Sequence, residues 1–265
     1  MAESFRSPSK VARRMKLTLL VSRKLKSWPS FMYNYALGFV PRVAYRFRNG
    51  ARLRIGRGVD HVPIIEIFLR QDYGAIPDGA VILDLGANIG VFSIYAATTA
   101  RKVRLYAYEP MPDFFQLMQE NVRLNGLDDA VKCFNLAVAA DAADRELFVA
   151  GTDFFFPTLV PPKSEQAATR AQVHCTTLAN ILDANALAHV DLLKMDTEGA
   201  EYEIFYRTPP SYFDRIREIR MEYHNLDADQ RNVQSLKQFL ITQRYRITHE
   251  QANTPTNGNL WAKKS

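Results

Sequence analysis

The apolar positions of this chain change rhythm near residue 80. From there on, short runs such as Val81-Ile82-Leu83 alternate with longer stretches that repeat at helical spacing. A short continuous apolar run suits a parallel strand buried on both faces. The pattern predicts strands over 81–83, 103–108, 131–138, 190–195 and 216–223, and helices over 91–100, 112–125, 178–187, 198–206 and 233–243. A closing strand pair is expected over 245–248 and 260–263. The helix over 112–125 carries Phe114, Met118 and Val122 four residues apart, and Gly126 stops it. After the third strand, 146–149 and 172–176 read as an added strand pair, separated by a loop with Phe154-Phe155-Phe156-Pro157 and Pro161-Pro162. Strands alternating with helices predict an α/β fold, a doubly wound Rossmann-like sheet with a strand-pair insertion.

Before residue 80 the rhythm is looser. Residues 1–10 read as disordered, and 11–35 as one or two short helices of mixed basic and apolar positions. The stretches 44–48 and 51–55 alternate in character around Asn49-Gly50, a dipeptide that accepts positive φ at both turn positions, and so predict a hairpin. A lead-in helix is expected over 63–73. The chain therefore divides into an N-terminal extension, 1–43, and a main domain, 44–265. Within the main domain the hairpin and lead-in helix occupy 44–79 and the core occupies 80–265.

Charge sharpens that division. Residues 1–57 hold 14 Lys and Arg against the single acid Glu3, a balance of +13. The remainder carries 20 bases against 27 acids, a balance of −7, so the overall +6 conceals an acidic body. An acidic body argues against a nucleic-acid partner. The basic arm suits peripheral contact with an anionic membrane surface, an acidic partner, a transit peptide, or a solvated helical extension. No apolar run approaches the roughly 20 residues that span a bilayer. Cys133 and Cys175 sit in separate strand-like runs without metal-clip or redox spacing, which favours buried free thiols and a cytoplasmic setting.

Candidate chemistry starts at Asp84-Leu85-Gly86-Ala87-Asn88-Ile89-Gly90, which leaves the first core strand and enters a helix. Ligands of doubly wound sheets bind at such strand ends. Gly86 and Gly90 are expected to let the backbone approach a ligand, and the helix N-terminus to offer N–H groups to an anion such as the carboxylate of a methionine moiety. Glu109 ends the second strand, where a carboxylate can accept from both ribose hydroxyls of an adenosine. A nicotinamide enzyme would instead need the tight Gly-x-Gly turn that grips a pyrophosphate, and this loop spaces its glycines four apart. The ordered pair, loop then acid, points to S-adenosylmethionine.

These residues resemble the FkbM-type methyltransferase family. The likeness rests on 84–90, Tyr108-Glu109-Pro110, Asn135-Leu136-Ala137-Val138, Thr177-Leu178 and Glu222-Tyr223-His224. Above all it rests on Val190-Asp191-Leu192-Leu193-Lys194-Met195-Asp196-Thr197-Glu198-Gly199-Ala200-Glu201, and it covers roughly residues 44 to 262. The resemblance implies a class I S-adenosylmethionine fold and methyl transfer to oxygen on a sugar, polyketide or related small metabolite. It also implies that Asp84, Gly86, Asn88, Gly90 and Glu109 contact the cofactor, with Pro110 and Asp196 counted in the same binding set.

Methyl transfer is an in-line displacement from an activated sulfonium, so alignment supplies much of the rate, and a hydroxyl acceptor must also lose its proton. His224 is the expected general base, with Glu222 or Glu198 orienting it or binding the acceptor. Competing structural roles are helix-capping acids at Asp196 and Glu198, a solvated helical acid at Glu201, and a satisfied strand-end histidine at His224. No metal is assigned, although Asp196, Glu222 and His224 suit magnesium or manganese by ligand type. The three consecutive phenylalanines suit either a lid over the acceptor or a plug in the side of the core. Rival readings are a methyltransferase acting on RNA or protein, and a non-catalytic cofactor-fold protein that binds through its basic arm. Thr197-Glu198-Gly199 stands where an Asn-Pro-Pro-Tyr-type amine motif would.

Overall fold

A computed structural model describes residues 8–37, 43–56, 61–150, 157–161 and 168–265. Its centre is a seven-stranded sheet built from β3 (Val81–Leu85), β4 (Arg104–Tyr108), β5 (Val131–Phe134), β10 (Leu192–Met195), β11 (Glu218–His224), β12 (Tyr245–Ala252) and β13 (Asn257–Lys264). The spatial order is β12-β13-β11-β10-β3-β4-β5, with β13 alone running against its neighbours. Strand order reverses between β3 and β10, so the ends of these two strands flank the switch-point crevice. All five residues of β3 are buried, as expected for the central strand of a sheet covered on both faces.

Two apolar cores lie on the two faces. One gathers Ile82, Leu105 and Ala107 of the sheet with α4 (Val91–Thr99) and α5 (Pro112–Leu124). The other gathers Leu83, Leu193 and Ile219 with α6 (Leu178–Ala184), α7 (Glu201–Arg207), α8 (Pro210–Phe213) and α9 (Val233–Thr242). Helix α4 is buried along most of its length, which explains why its sequence is apolar on nearly every side.

The N-terminal region packs into the first core. Helices α1 (Pro8–Lys24) and α2 (Trp28–Leu37) contribute Val21 and Phe31, and Leu25 follows α1 and bridges to Phe47; all three are fully buried in the core that holds Ile64 and Phe68. The hairpin of β1 (Val43–Arg46) and β2 (Arg52–Ile55) forms as expected, but with a three-residue loop in which Gly50 alone takes positive φ. Phe47 N donates to Ala51 O at 2.8 Å and Asn49 Oδ1 accepts from Ala51 N, so Asn49 supplies a side-chain acceptor instead of a left-handed backbone. The free edge of β2 is closed by α5. Asn121 exchanges hydrogen bonds with Arg54 N and O, and Asn125 does the same with Arg52. Asn121 Nδ2 also donates to Ile89 O at 2.9 Å, tying the hairpin to the loop after β3.

The lead-in helix opens as α3 (His61–Pro63) and continues as a π-helical stretch, Ile64–Arg70, closed by left-handed Gln71. The expected third strand over 131–138 breaks in two. Asn135 turns its side chain onto the carbonyls of Glu109 and Pro110, and β6 (Ala137–Val138) leaves the main sheet to pair with β9 (Cys175–Thr176). The inserted pair is β7 (Arg145–Ala150) against β8 (Ala168–Val173). Phe154, Phe155 and Phe156 lie outside the described residues. Among those that are described, no helix is long and apolar enough to cross a membrane.

Candidate active site

Asp84 is the penultimate residue of β3, in the sheet interior and entirely buried. Ser93 of α4 donates to its Oδ2 at 2.7 Å, and Lys194 Nζ lies 3.1 Å from its Oδ1. The ammonium also donates to Gly86 O at 2.7 Å, so one buried cation holds both the strand end and the loop that leaves it. Burial works against the Lys194 charge, but Asp84, Asp196 and Glu109 outweigh it and raise its pKa. Asp84, expected as a cofactor contact, is thus engaged on both oxygens by the protein.

The glycines of the loop serve packing. Gly86 has φ +73°, and a Cβ there would stand 1.7 Å from the carbonyl oxygen of Asp196. Gly90 has φ +83°, and its Cβ would meet Met118 Cγ at 3.0 Å. The expected close approach is therefore between the loops after β3 and β10, and between α4 and α5. Asn88 is left-handed at φ 52°. Its N–H donates to Glu109 Oε2 at 2.8 Å and its Oδ1 accepts from Ile89 N at 2.7 Å. No side chain caps α4, so the first turn of that helix stays open to an anionic ligand group.

Glu109 follows β4 and is 4% exposed. Each oxygen accepts one backbone N–H, Oε2 from Asn88 and Oε1 from Met111 at 2.9 Å, which fixes the carboxylate and leaves each oxygen a further lone pair. Burial pushes its pKa up to about 7, while the Met111 and Asn88 amides and the Lys194 charge pull it down. Pro110 contributes its carbonyl, held by Asn135. A fixed, buried carboxylate with free lone pairs beside an uncapped helix N-terminus fits a ribose diol and an amino-acid carboxylate, the two anchoring groups of S-adenosylmethionine.

A second constellation stands at the ends of β10 and β11. Asp196 follows β10, and its Oδ1 is buried with no hydrogen-bond partner. Glu198 is left-handed at φ 53°, and its carbonyl accepts from the Thr158 hydroxyl at 2.5 Å. Glu201, read from sequence as an ordinary helical acid, is fully buried. Its Oε1 accepts from Thr197 N, Thr197 Oγ1 and Gly199 N, each at 3.2 Å, and meets His224 Nδ1 at the same distance.

His224 is thereby clamped between two carboxylates, Glu201 on Nδ1 and Glu198 Oε2 at 3.2 Å on Nε2. Burial lowers its pKa, but the hydrogen bonds and charges of these partners prevail and push it up to about 12. Contacts on both ring nitrogens orient His224, and the two carboxylates favour its imidazolium form. Glu222 precedes it on the same face of β11, with Oε1 held by Asn257 Nδ2 at 2.8 Å. Burial, then the Asp196 charge, push the Glu222 pKa up to about 8. Glu198 is also raised, first by burial.

The expected Asp196, Glu198, Glu222 and His224 thus gather at the ends of two adjacent strands. Asp196, Glu198 and His224 place one ligand atom each within 4.8 Å of one another, the grouping among the described residues suited to a metal ion. Sequence reasoning quoted Glu201, Lys194 and Asn135 within the motifs of the resemblance but assigned them no site role, and it missed Ser93, Thr158, Glu66 and Tyr73. Glu66 is pushed up to about 7, chiefly by burial, and the Asp196 charge adds to the rise. Tyr73 is buried and feels the same carboxylates. Helical spacing could have placed Glu66 among buried Ile64, Ile67 and Phe68.

Comparison with known proteins accords with this arrangement. Residues 84–247 match the sequence model described as the methyltransferase FkbM domain. Methyltransferase sdnD of Sordaria araneosa is 25% identical over 184 residues, which cover 57% of this chain and 69% of that protein. The 31-O-demethyl-FK506 methyltransferase FkbM of Streptomyces tacrolimicus is 25% identical over 224 residues, covering 69% of this chain and 82% of that protein. The crystal structure of methyltransferase FkbM from Methylobacillus flagellatus superposes with a TM-score of 0.51 at 13% identity, covering 96% of this chain and 60% of that one. At that identity the likeness bears on the fold.

Proposed function

The chain belongs to the FkbM methyltransferase family, whose members use S-adenosylmethionine, and from that premise we propose that it methylates a hydroxyl of a small metabolite of the sugar or polyketide class. The observation that carries this reading is the neighbourhood of Glu109, a buried carboxylate free to grip a ribose, and the cluster of Asp196, Glu198, Glu222 and His224 across the crevice. Transfer to oxygen is also in keeping with the name of the Streptomyces relative, which denotes a substrate lacking an O-methyl group.

When bound, S-adenosylmethionine supplies a methyl group on a positively charged sulfur. Glu109, kept in place by Asn88 and Met111, would hold the ribose hydroxyls, and the uncapped first turn of α4 would hold the amino-acid carboxylate. Asp196 and the carboxylates near it favour a cation in the crevice. Glu198, oriented by His224, would position the acceptor hydroxyl, and Glu222 would take its proton as the methyl group passes from sulfur to oxygen.

The test is a mass-spectrometric screen of hydroxylated metabolites for gain of one methyl group. Turnover on a hydroxyl acceptor is expected, and Glu222→Gln should lower kcat by roughly 100-fold or more while S-adenosylhomocysteine still binds. Transfer only to RNA or protein, or binding with no transfer at all, would remove the small-metabolite reading.

A second surface supports peripheral membrane contact by residues 1–43. Met15 and Leu19, one turn apart on α1, and Trp28 and Tyr33 on α2 are exposed apolar side chains within the +13 region. Apolar side chains among basic ones suit an anionic lipid surface. Sedimentation with phosphatidylglycerol vesicles, absent with neutral ones and lost at high salt, is the expected outcome.

A further inference from the structure

We propose that Asp196, Glu198 and His224 bind a divalent cation that takes both oxygen and imidazole ligands, with manganese as the fitting probe. Three independent features lead there. The first is ligand spacing. Glu198 Oε2 and His224 Nε2 stand 3.2 Å apart, and with an Asp196 oxygen all three atoms lie within 4.8 Å of one another. Bonds of roughly 2.1 Å to one ion put neighbouring ligands about 3.0–3.4 Å apart, so one edge of a coordination polyhedron is already formed.

The second is the support behind the histidine. A metal-bound imidazole usually gives its other ring N–H to a carboxylate, which fixes its tautomer and aim. Glu201 takes that position at 3.2 Å from Nδ1, fully buried and itself fixed by Thr197 and Gly199. Nδ1 is thereby committed, and Nε2 is turned toward Glu198.

The third is an unanswered acceptor. Asp196 Oδ1 is buried without a hydrogen bond among the described residues, with the Lys194 charge acting on it only at longer range, although the backbone beside it is held by Asp196 N donating to Leu85 O at 3.0 Å. A buried carboxylate oxygen left unpaired is costly unless a cation answers it. The three features belong to one cluster at the ends of β10 and β11, where an ion would take the position of the proton shared by Nε2 and Glu198.

The role assigned to the ion rests on the methyl-transfer reading above. An acceptor hydroxyl ligated there becomes a stronger acid and gives its proton to Glu222. The carbon–oxygen bond then forms as the carbon–sulfur bond breaks, leaving a neutral thioether. Ion binding itself needs neither cofactor nor acceptor, so it can be tested apart from that reading.

The experiment is titration of the full chain, freed of metal with a chelator, with manganese(II) alone, followed by calorimetry and by loss of the free-ion EPR signal. One ion per chain is expected. Asp196→Asn and His224→Ala should weaken binding at least 10-fold, and Glu201→Gln by about 10- to 100-fold through loss of the histidine's orientation. Far-ultraviolet circular dichroism and a cooperative thermal transition serve as the check that each variant is folded. No saturable binding to the wild-type chain at millimolar manganese overturns the proposal, as does binding that folded variants leave unchanged. Should the chain bind manganese but not S-adenosylhomocysteine, the metal site stands and the cofactor reading falls.

Discussion

The loop after β3 and the loop after β10 leave adjacent parallel strands and meet at Gly86 and Asp196, but they treat their polar groups differently. In the first, Asp84 accepts from Ser93 at one oxygen, its other oxygen lacks a hydrogen bond but has the Lys194 ammonium 3.1 Å away, and Glu109 holds two amides. In the second, Asp196 Oδ1 and Glu201 Oε2 are buried without hydrogen bonds, and a single histidine serves two carboxylates. The first loop is a finished scaffold whose shape the protein sets by itself. The second gathers Asp196, Glu198 and Glu201 around one histidine, and on the proposed metal-site reading a bound cation completes it. Their meeting point is steric: the glycine of the finished loop makes room for a carbonyl of the unfinished one.

The largest expected effect strikes that meeting point. Gly86→Ala must accept a left-handed backbone and drive a methyl into Asp196 O, so a loss of about 3–5 kcal/mol in urea unfolding is expected. Lys194→Met comes next. Removing one member of a buried pair strands Asp84 and should destabilise by about 3–5 kcal/mol. Adding Asp84→Asn to Lys194→Met should recover part of that loss, because no uncompensated charge remains. If Lys194→Met unfolds at the wild-type denaturant concentration, the first loop does not depend on the pair.

Glu109→Gln tests ligand binding. Charged hydrogen bonds contribute about 1.5–3 kcal/mol, so S-adenosylhomocysteine should bind roughly 10- to 100-fold more weakly. The sign of the pH effect follows from a carboxyl group raised to about 7. Below that pH the group is neutral and a poorer acceptor, so wild-type affinity should rise as pH passes upward through 7 and level off above it. Calorimetry at pH 6 and pH 8 checks this, and the Gln variant should lose the difference. The smallest effect is expected far from both loops. Met15→Ser with Leu19→Ser should change stability by less than about 0.5 kcal/mol, since both side chains are exposed, while abolishing vesicle binding.

Which parts of this were legible in the sequence follows the same division. The central strands β3, β4 and β10 announce themselves as mostly apolar runs because burial on both faces leaves few polar positions. Gly86, Gly90 and Glu109 stand out because their residue types and order report backbone geometry and strand ends. The reason for the glycines was hidden, since Gly86 meets Asp196, 110 positions away in the chain. Glu201 looked like a surface acid because charge type does not reveal burial, and its value lies in four donors brought from β11 and the preceding turn. The break between β5 and β6 was invisible for a similar reason: Asn135 bends the chain through bonds to Glu109 and Pro110. The π-helical winding before Gln71 left no local signal.

The most direct test of the central claim is a crystal structure of the chain with S-adenosylhomocysteine. The account predicts both ribose hydroxyls on the Glu109 carboxylate, the amino-acid carboxylate at the first turn of α4, and the sulfur facing the Asp196, Glu198 and His224 side of the crevice. A nucleoside bound elsewhere, with Glu109 still holding only Asn88 and Met111, would contradict it.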